Sequence, residues 1–302
     1  MKLLSCQGLV KRYGSSRALD GVDLTLEVGA PIALIGPNGA GKTTLFSLLC
    51  GFLRPSAGEV EVLGAKPGST ALHNRLAALP QDAQLDPRFS IGHQLILFAK
   101  LQGYSSRQSK AEAIRVLERV GLPDTYNMKP EALSHGMRKR VLFAQTLLGK
   151  AELILLDEPT AGLDPPNVKV MRNLISDASS DATFIISSHN LDELEKVCSS
   201  VVHLEKGRLK GVVSIDQTKS SGYLTLVMTE LAVSTEQINS VLTKITGVKE
   251  VNFSAPNRFL IEYDSMNYPQ IDQQVMKQIS AHGWAYRQLV NGRTLEDQLY
   301  FG

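Results

Sequence analysis

The sequence predicts an α/β fold built around a phosphate-binding loop, followed by a smaller α+β unit. Residues 36–43 match the pattern G-x-x-x-x-G-K-[ST] and lie between an apolar, strand-like run at 32–35 and a leucine-rich helical pattern. A second apolar run, at 153–156, ends in two consecutive carboxylates, as expected of a buried strand that reaches a ligand crevice. After residue 213 the pattern changes to the order β-α-β-β-α-β.

The loop at 36–43 has the chemistry of a polyphosphate site. Its glycines allow successive backbone N–H groups to turn towards phosphates, and the helix N-terminus adds positive potential. Lys42 is expected to neutralise the outer phosphates, Thr43 to offer its hydroxyl to Mg²⁺, and Thr44 to reach an inner phosphate. The alternative, an ordinary glycine-rich turn, is disfavoured by the flanking strand and helix. The predicted nucleotide-binding residues of the loop are Gly36, Pro37, Asn38, Gly39, Ala40, Gly41, Lys42, Thr43 and Thr44.

The carboxylates Asp157 and Glu158 supply the second half of the predicted site. Asp157 suits Mg²⁺, usually through water, because this ion keeps much of its hydration. Glu158 lies one residue further along and is the candidate general base that polarises the attacking water. Taken alone, an Asp-Glu pair after an apolar run more often marks the turn that ends a strand.

Three shorter motifs occur in a fixed order around this pair: Leu-Ser-His-Gly-Met at 133–137, Ala-Gly-Leu-Asp at 161–164, and Ser-Ser-His at 187–189. With the loop and the carboxylates, they make residues 2 to about 212 resemble the ATP-binding cassette (ABC) family, specifically its transporter ATPase subunits. The resemblance implies ATP and Mg²⁺ as cofactors. It also implies a signature loop at 133–137, in which Ser134 and Gly136 meet the γ-phosphate. Gln81 would be the switch glutamine near Mg²⁺, and His189 the γ-phosphate sensor. Asp164 would be a dimer contact, and Tyr13 the aromatic that stacks on adenine.

Each of these residues also has a simpler interpretation. Tyr13 would look the same as a surface tyrosine before a turn, and Gln81 as an ordinary polar loop residue. His189 without its context would be a strand-end histidine that donates to a backbone carbonyl. Ser134 precedes a helical pattern, so its minimum role is an N-cap, which is compatible with anion binding.

The sequence departs from the family pattern at two places. His135 and Met137 replace the first glycine and the glutamine of the usual Leu-Ser-Gly-Gly-Gln signature. The ending Gly-Met resembles that of signatures in exporter cassettes, so we interpret the two replacements as a subfamily trait. The segment Ser90-Ile91-Gly92-His93 stands where exporter cassettes commonly have Thr-Val, one more residue, and Glu. It is expected to face the membrane subunits.

The resemblance also implies an assembly. The phosphate loop and the signature loop are both expected to lie at helix N-termini suited to the same polyphosphate, yet the family's architecture keeps them apart within one chain. Two chains related by a two-fold axis would complete two sites. We therefore expect an ATP-sandwiched homodimer, with a heterodimer with a paralogue as the alternative.

Composition indicates that the chain needs another protein to reach a membrane. Its 302 residues are 43% hydrophobic, but no stretch approaches a membrane span and the first residues lack a secretory h-region. We expect a cytoplasmic protein held on the cytoplasmic face of the membrane by integral transporter subunits. A net charge of +2 gives no reason to expect nucleic acid as a partner, and three widely spaced cysteines suggest reduced structural thiols.

The predicted elements divide the chain into an ATP-binding domain at 1–213 and an accessory domain at 214–302. Strands and the first phosphate-binding helix are expected before residue 80, a helical subdomain at about 90–135, and renewed strand and helix alternation at 150–212. In the helical subdomain one apolar face is assigned to Leu95, Phe98 and Leu101, and another to Ala113, Ile114, Leu117 and Val120. The segment between Lys42 of the phosphate loop and Asp157 is too short for the long coiled-coil insertion of ABC proteins in DNA repair.

The accessory domain is predicted to have a ferredoxin-like fold. Strands are expected at 223–228, 248–253, 258–263 and 284–290, with helices opened by Ser234 and by Pro269 and a short terminal helix from Thr294. The domain carries no cluster of Cys, His or paired carboxylates that would indicate chemistry of its own. A dimerisation or regulatory role is therefore favoured over small-ligand sensing.

These observations predict the ATPase subunit of an ABC transporter that hydrolyses ATP to ADP and phosphate, with export as the expected direction. The main alternative is a soluble ABC ATPase that acts on ribosomes or nucleic acid. The single cassette, the lack of a coiled-coil insertion and the near-neutral charge all disfavour it.

Overall fold

The protein consists of two compact units, Met1–Val213 and Ser214–Gly302. A computed structural model describes residues 2–188, 191–215, 222–230, 233–255 and 257–293. Within these ranges the first unit contains nine strands and six α-helices. They are β1 (Lys2–Tyr13), β2 (Ser16–Glu27), β3 (Ile32–Ile35), α1 (Lys42–Leu49), β4 (Ala57–Val62), β5 (Leu76–Leu79), α2 (Ile91–Leu101), α3 (Ser106–Arg119), α4 (His135–Thr146), β6 (Leu153–Asp157), α5 (Pro165–Ala178), β7 (Thr183–Ser187), α6 (Leu191–Leu194), β8 (Ser200–Glu205) and β9 (Arg208–Ser214).

A six-stranded sheet of order β5-β6-β7-β3-β8-β9 forms the centre of the first unit. The pairs β5–β6, β6–β7, β7–β3 and β3–β8 are parallel. Every residue of β3, β6 and β7 is buried, which explains why these strands are continuous apolar runs and not alternating ones. Their carboxyl ends lie at one edge, where an open parallel sheet places its ligand crevice.

A smaller antiparallel sheet of order β2-β1-β4 packs with the large sheet around helix α1. Helix α1 contacts β2 and β4 of the small sheet and β6 of the large one. One hydrophobic cluster joins these elements, and it includes Leu45, Leu48 and Leu49 of α1. The helix that follows the predicted phosphate loop is therefore fixed on both sides by packing, which holds the loop in place.

The segment predicted as a helical subdomain contains two α-helices whose apolar faces are only partly buried. Helices α2 and α3 pack against each other within the expected range, and α4 begins at its end. Leu95, Ala113, Leu117 and Val120 are buried, but Phe98 is 39%, Leu101 70% and Ile114 40% exposed, so each apolar face is covered only in part. Helical spacing reveals an apolar stripe but not how far the packing covers it. None of the helices in the described ranges has the length and apolarity needed to span a bilayer.

The second unit has the predicted ferredoxin-like topology. Its elements are β10 (Tyr223–Met228), α7 (Thr235–Leu242), β11 (Val248–Ala255), β12 (Arg258–Tyr263), α8 (Ile271–Ala281) and β13 (Tyr286–Asn291), with an antiparallel sheet of order β11-β12-β10-β13. Ser234 caps α7 as predicted, since its hydroxyl accepts a hydrogen bond from the backbone N–H of Gln237 at 3.3 Å. Pro269 does not open α8, because Gln270 has a non-helical backbone and the helix begins at Ile271. The terminal helix predicted from Thr294 lies outside the described residues. The fold class predicted for the whole chain is confirmed.

Candidate nucleotide-binding site

An open cleft of about 680 Å³ lies at the carboxyl ends of β3 and β6. It holds the predicted phosphate loop, both carboxylates and Gln81, although these stand far apart in the sequence. The lining residues are Ala18, Gly36, Pro37, Asn38, Gly39, Ala40, Gly41, Lys42, Thr43, Thr44, Gln81, Asp157, Glu158 and Ala161. The size and position of the cleft fit a nucleotide bound by its phosphates.

The backbone of the loop requires glycine at two positions. Gly36 has φ +152° and Gly41 has φ +106°, values that residues with a Cβ rarely adopt. A Cβ on Gly36 would overlap the carbonyl oxygen of Leu204, and one on Gly41 would lie 2.5 Å from that of Ala18. The loop is therefore held against neighbouring backbone on both sides, and its conformation is preorganised.

Lys42 stands at the first position of α1 and is only 8% exposed. Its Nζ donates hydrogen bonds to the carbonyl oxygens of Gly36 at 2.7 Å and of Pro37 at 3.3 Å. The ammonium group therefore lies inside the curve of the loop, where phosphate oxygens would bind. Because an ammonium has three donors, phosphate can share it with these carbonyls.

Thr43 and Asp157 meet across the floor of the cleft. The Thr43 hydroxyl donates a hydrogen bond to Oδ2 of Asp157 at 2.8 Å. The other carboxylate oxygen of Asp157, Oδ1, accepts a short hydrogen bond from the Ser187 hydroxyl. Asp157 is 3% exposed, so these two donors stabilise a buried carboxylate at the end of β6.

Glu158 follows directly and has a strained backbone, with φ +50°. A non-glycine residue in this region costs on the order of 1 kcal/mol or more and persists only where the surroundings hold it. Its backbone N–H donates to the hydroxyl of Ser187 at 3.0 Å and to the Ser187 carbonyl at 3.1 Å. The residue is 7% exposed and lines the cleft, so its carboxylate is positioned at the wall of the site.

Ser187 is a residue of the candidate site to which the sequence assigned no role of its own, since it served there only as the context of His189. Its fully buried hydroxyl donates to the Asp157 carboxylate and accepts from the Glu158 backbone. One hydroxyl therefore fixes both carboxylate-bearing residues. The signal in the sequence was a hydroxyl at the end of β7, the strand beside β6 in the sheet.

Replacing Ser187 with alanine is expected to lower ATP turnover about tenfold and the free energy of unfolding by about 1–3 kcal/mol, because a buried carboxylate loses its donor. Steady-state ATPase assays and urea denaturation would measure the two effects. Ser180→Ala, at an exposed serine after α5, is the matched control. Lower stability with unchanged turnover would mean that Ser187 has a structural role only.

The other predicted residues do not line this cleft. Tyr13 is 50% exposed, with the Nζ of Lys11 5.3 Å from its ring centroid. Ser134 and Asp164 stand at the N-caps of α4 and α5, and Gly136 is buried in the first turn of α4. The Ser134 hydroxyl accepts from the backbone N–H of Met137 at 3.2 Å, which confirms its N-cap role. His189 lies outside the described residues.

Comparison with known proteins identifies the family. The model of the ABC transporter family matches residues 19–161. The uncharacterized ABC transporter ATP-binding protein YhaQ of Bacillus subtilis is 34% identical over 207 residues, which are 68% of this chain and 69% of that protein. The chain belongs to the ABC transporter family of ATP-binding proteins. It is an ATP-binding ATPase subunit of that family.

Relatives and solved structures agree with this membership. The Nod factor export ATP-binding protein I of Burkholderia orbicola is 35% identical over 66% of each chain. The daunorubicin resistance ATP-binding protein DrrA3 of Streptomyces coeruleorubidus is 35% identical over 72% of this chain and 70% of that one. A solved ATP-binding subunit of an ABC transporter superimposes with a TM-score of 0.64 at 26% identity, over 72% of this chain and 92% of that one. A bacterial Atm1-family ABC exporter with ATP bound gives a TM-score of 0.63 at 25% identity, over 72% of this chain and 39% of that one.

Proposed function

We propose that this ABC ATPase powers an exporter, working as an ATP-sandwiched homodimer on separate membrane subunits. One observation carries the proposal of a dimer. The cleft brings the phosphate loop, Asp157 and Glu158 together, while Ser134, Gly136 and Asp164 lie outside its lining. In the family, the motif of Ser134 and Gly136 meets the same polyphosphate, and Asp164 matches a dimer contact. A second copy would therefore have to supply these residues to the cleft.

The residues of the cleft have distinct roles in this proposal. Glycine N–H groups and Lys42 bind the phosphates, and Glu158 accepts a proton from the attacking water as the general base. Gln81 is exposed and lines the cleft, where it would act as the switch glutamine near Mg²⁺. Tyr13 would stack on adenine, and His189 would contact the γ-phosphate. ATP binding joins the two copies, and its hydrolysis releases them, which converts phosphate chemistry into motion of the membrane subunits.

The residues on the floor of the cleft fit Mg²⁺. A hydroxyl and a carboxylate, 2.8 Å apart, offer the oxygen ligands that this ion prefers. Thr43 and Asp157 would hold the ion, with Gln81 nearby. When bound, Mg²⁺ neutralises phosphate charge during transfer.

Replacing Asp157 with asparagine is expected to raise the Mg²⁺ concentration for half-maximal nucleotide binding about tenfold, because one carboxylate charge is lost. Titration calorimetry of ATP binding at a series of Mg²⁺ concentrations measures this shift without relying on turnover. Asp124→Asn, at an exposed surface turn, is the control. An unchanged Mg²⁺ requirement would exclude Asp157 from the metal site.

Export is the favoured direction because the relatives include Nod factor export and daunorubicin resistance proteins. The apolar side chains that α2 leaves exposed offer surface to a partner; they are Leu97 at 54%, Phe98 at 39% and Leu101 at 70%. The protein would then lie on the cytoplasmic face of the membrane, held by its partner. The second unit, which follows the cassette, would serve dimerisation or regulation.

An ATP-trapped pull-down tests the proposed export complex. Tagged Glu158→Gln protein is incubated with Mg-ATP in detergent-solubilised membranes, and retained proteins are identified by mass spectrometry. Recovery of a polytopic membrane protein that a Glu158→Gln, Lys42→Ala double variant fails to retain supports the proposal. Recovery of ribosomal or nucleic-acid-associated proteins instead would overturn it.

A further inference from the structure

Helix α5 begins in an unusual way, with prolines at its first two positions, 165 and 166. Neither residue has an N–H group, so the N-cap residue Asp164 cannot receive the usual bond from the second helical residue. Its carboxylate instead accepts a short hydrogen bond from the side-chain amide of Asn167, at the third position. Asn167 therefore orients the Asp164 carboxylate.

The same amide group packs against the first turn of α4. A Cβ added to Gly136 would lie 2.5 Å from Cγ of Asn167 and 2.8 Å from its Nδ2, and would overlap its Oδ1. Gly136 needs no unusual backbone, because its φ is not in the left-handed region. The reason for a glycine at 136 is the space that Asn167 occupies.

The same two segments also lie close together at a second place. The Nε2 of His135, the first residue of α4, would lie 3.5 Å from a Cβ on Gly162, two residues before Asp164. Asn167 thus joins the starts of α4 and α5, and His135 lies near the segment that precedes α5. Both residues lie in the segments that carry Ser134, Gly136 and Asp164.

We infer that Asn167 is a positioning residue that joins the signature loop and Asp164 into one surface for the partner copy. The inference rests on the proposed sandwich dimer. Asn167 does not line the ATP cleft of its own chain, so it acts through Asp164 and Gly136. Its loss should weaken ATP-dependent dimerisation and turnover while leaving the affinity of a single chain for ATP unchanged.

The test measures ATP-dependent dimerisation in the Glu158→Gln background by analytical ultracentrifugation, and ATP binding to the monomer by fluorescence titration below the dimerisation range. Asn167→Ala and Asn167→Leu should each weaken dimerisation about tenfold, because both lack the donor to Asp164. Leucine keeps the bulk beside Gly136, so this pair separates hydrogen bonding from packing. Asn173→Ala, at an exposed position of the same helix, is the control.

Gly136→Ala supplies a coupled prediction. Alanine is a better helix former than glycine, so helix propensity gives no reason for a loss. The new methyl group points at Asn167, so the single variant should lose at least about tenfold in dimerisation through overpacking. In the Asn167→Ala background the methyl group has room, so the further loss should be under about threefold. Thermal denaturation of each variant distinguishes this coupling from general unfolding.

The outcomes separate the inference from the proposed function. If Glu158→Gln protein does not dimerise with ATP, the sandwich proposal fails. If it dimerises, and Asn167→Leu dimerises equally well or the two substitutions add independently, the positioning role of Asn167 is overturned. Weaker monomer binding of ATP in Asn167→Ala would likewise overturn it.

Discussion

Replacing Glu158 with glutamine is expected to lower ATP turnover by about two to four orders of magnitude while ATP still binds. A general base contributes about 10²- to 10⁴-fold to rate, and an amide cannot accept a proton from water near neutral pH. Glutamine keeps the size of the side chain, and the backbone constraint at φ +50° is the same for both residues. The effect should therefore fall on the chemical step and not on the fold.

Single-turnover measurements with labelled ATP check this expectation. The Glu158→Gln protein should bind ATP with an affinity close to that of the wild type, retain it unhydrolysed, and accumulate as a dimer. Glu118→Gln, at an exposed residue of α3, controls for the loss of a carboxylate elsewhere. Wild-type turnover in Glu158→Gln would show that another group polarises the water.

Ser187 and Glu158 should be linked in such experiments. The positive φ of Glu158 is held by two hydrogen bonds from its N–H to Ser187, one to the hydroxyl and one to the carbonyl. Ser187→Ala removes only the first. Its effect on turnover should therefore be smaller than that of Glu158→Gln, and should become small when the general base is already absent.

The sequence predicted those parts of the molecule whose signals are local. The phosphate loop and the carboxylate pair each follow a continuous apolar run. Such a run is typical of a parallel strand that is buried on both faces. The ferredoxin-like order of the second unit could be derived in the same way, because alternating strands and a serine N-cap mark its elements. The start of α8 was misplaced, since proline favours a turn as well as a first helical position. The last strand begins at Tyr286, two residues after its predicted start.

Contacts between distant segments could not be predicted from the sequence. Ser187 acts on a strand that is its neighbour in the sheet but precedes it by 30 residues in the chain. The role proposed for Asn167 depends on the packing of its side chain against Gly136, where α5 meets α4. Leu101 has the spacing of a core residue and is nevertheless 70% exposed, because periodicity does not reveal whether the matching surface belongs to the same chain.

Replacing Lys42 with alanine is expected to weaken ATP binding roughly 10- to 150-fold, since a hydrogen bond to a charged group contributes about 1.5–3 kcal/mol. The ammonium group is 2.7 Å from the carbonyl oxygen of Gly36 and lies within the loop, so phosphate would meet it without rearrangement of the backbone. Arginine should not restore binding, because its planar fork is too large for a position that is 8% exposed.

Titration calorimetry with ATP measures the affinity, and Lys110→Ala, at an exposed lysine of α3, is the charge-matched control. Lys42→Ala also removes two hydrogen bonds that brace the loop. The change in unfolding temperature without nucleotide therefore reports the loss of these two hydrogen bonds. The increase in unfolding temperature on adding ATP reports binding. If Lys42→Ala gains as much stability from ATP as the wild type, the phosphates must bind elsewhere, and the assignment of this cleft as the ATP site is wrong.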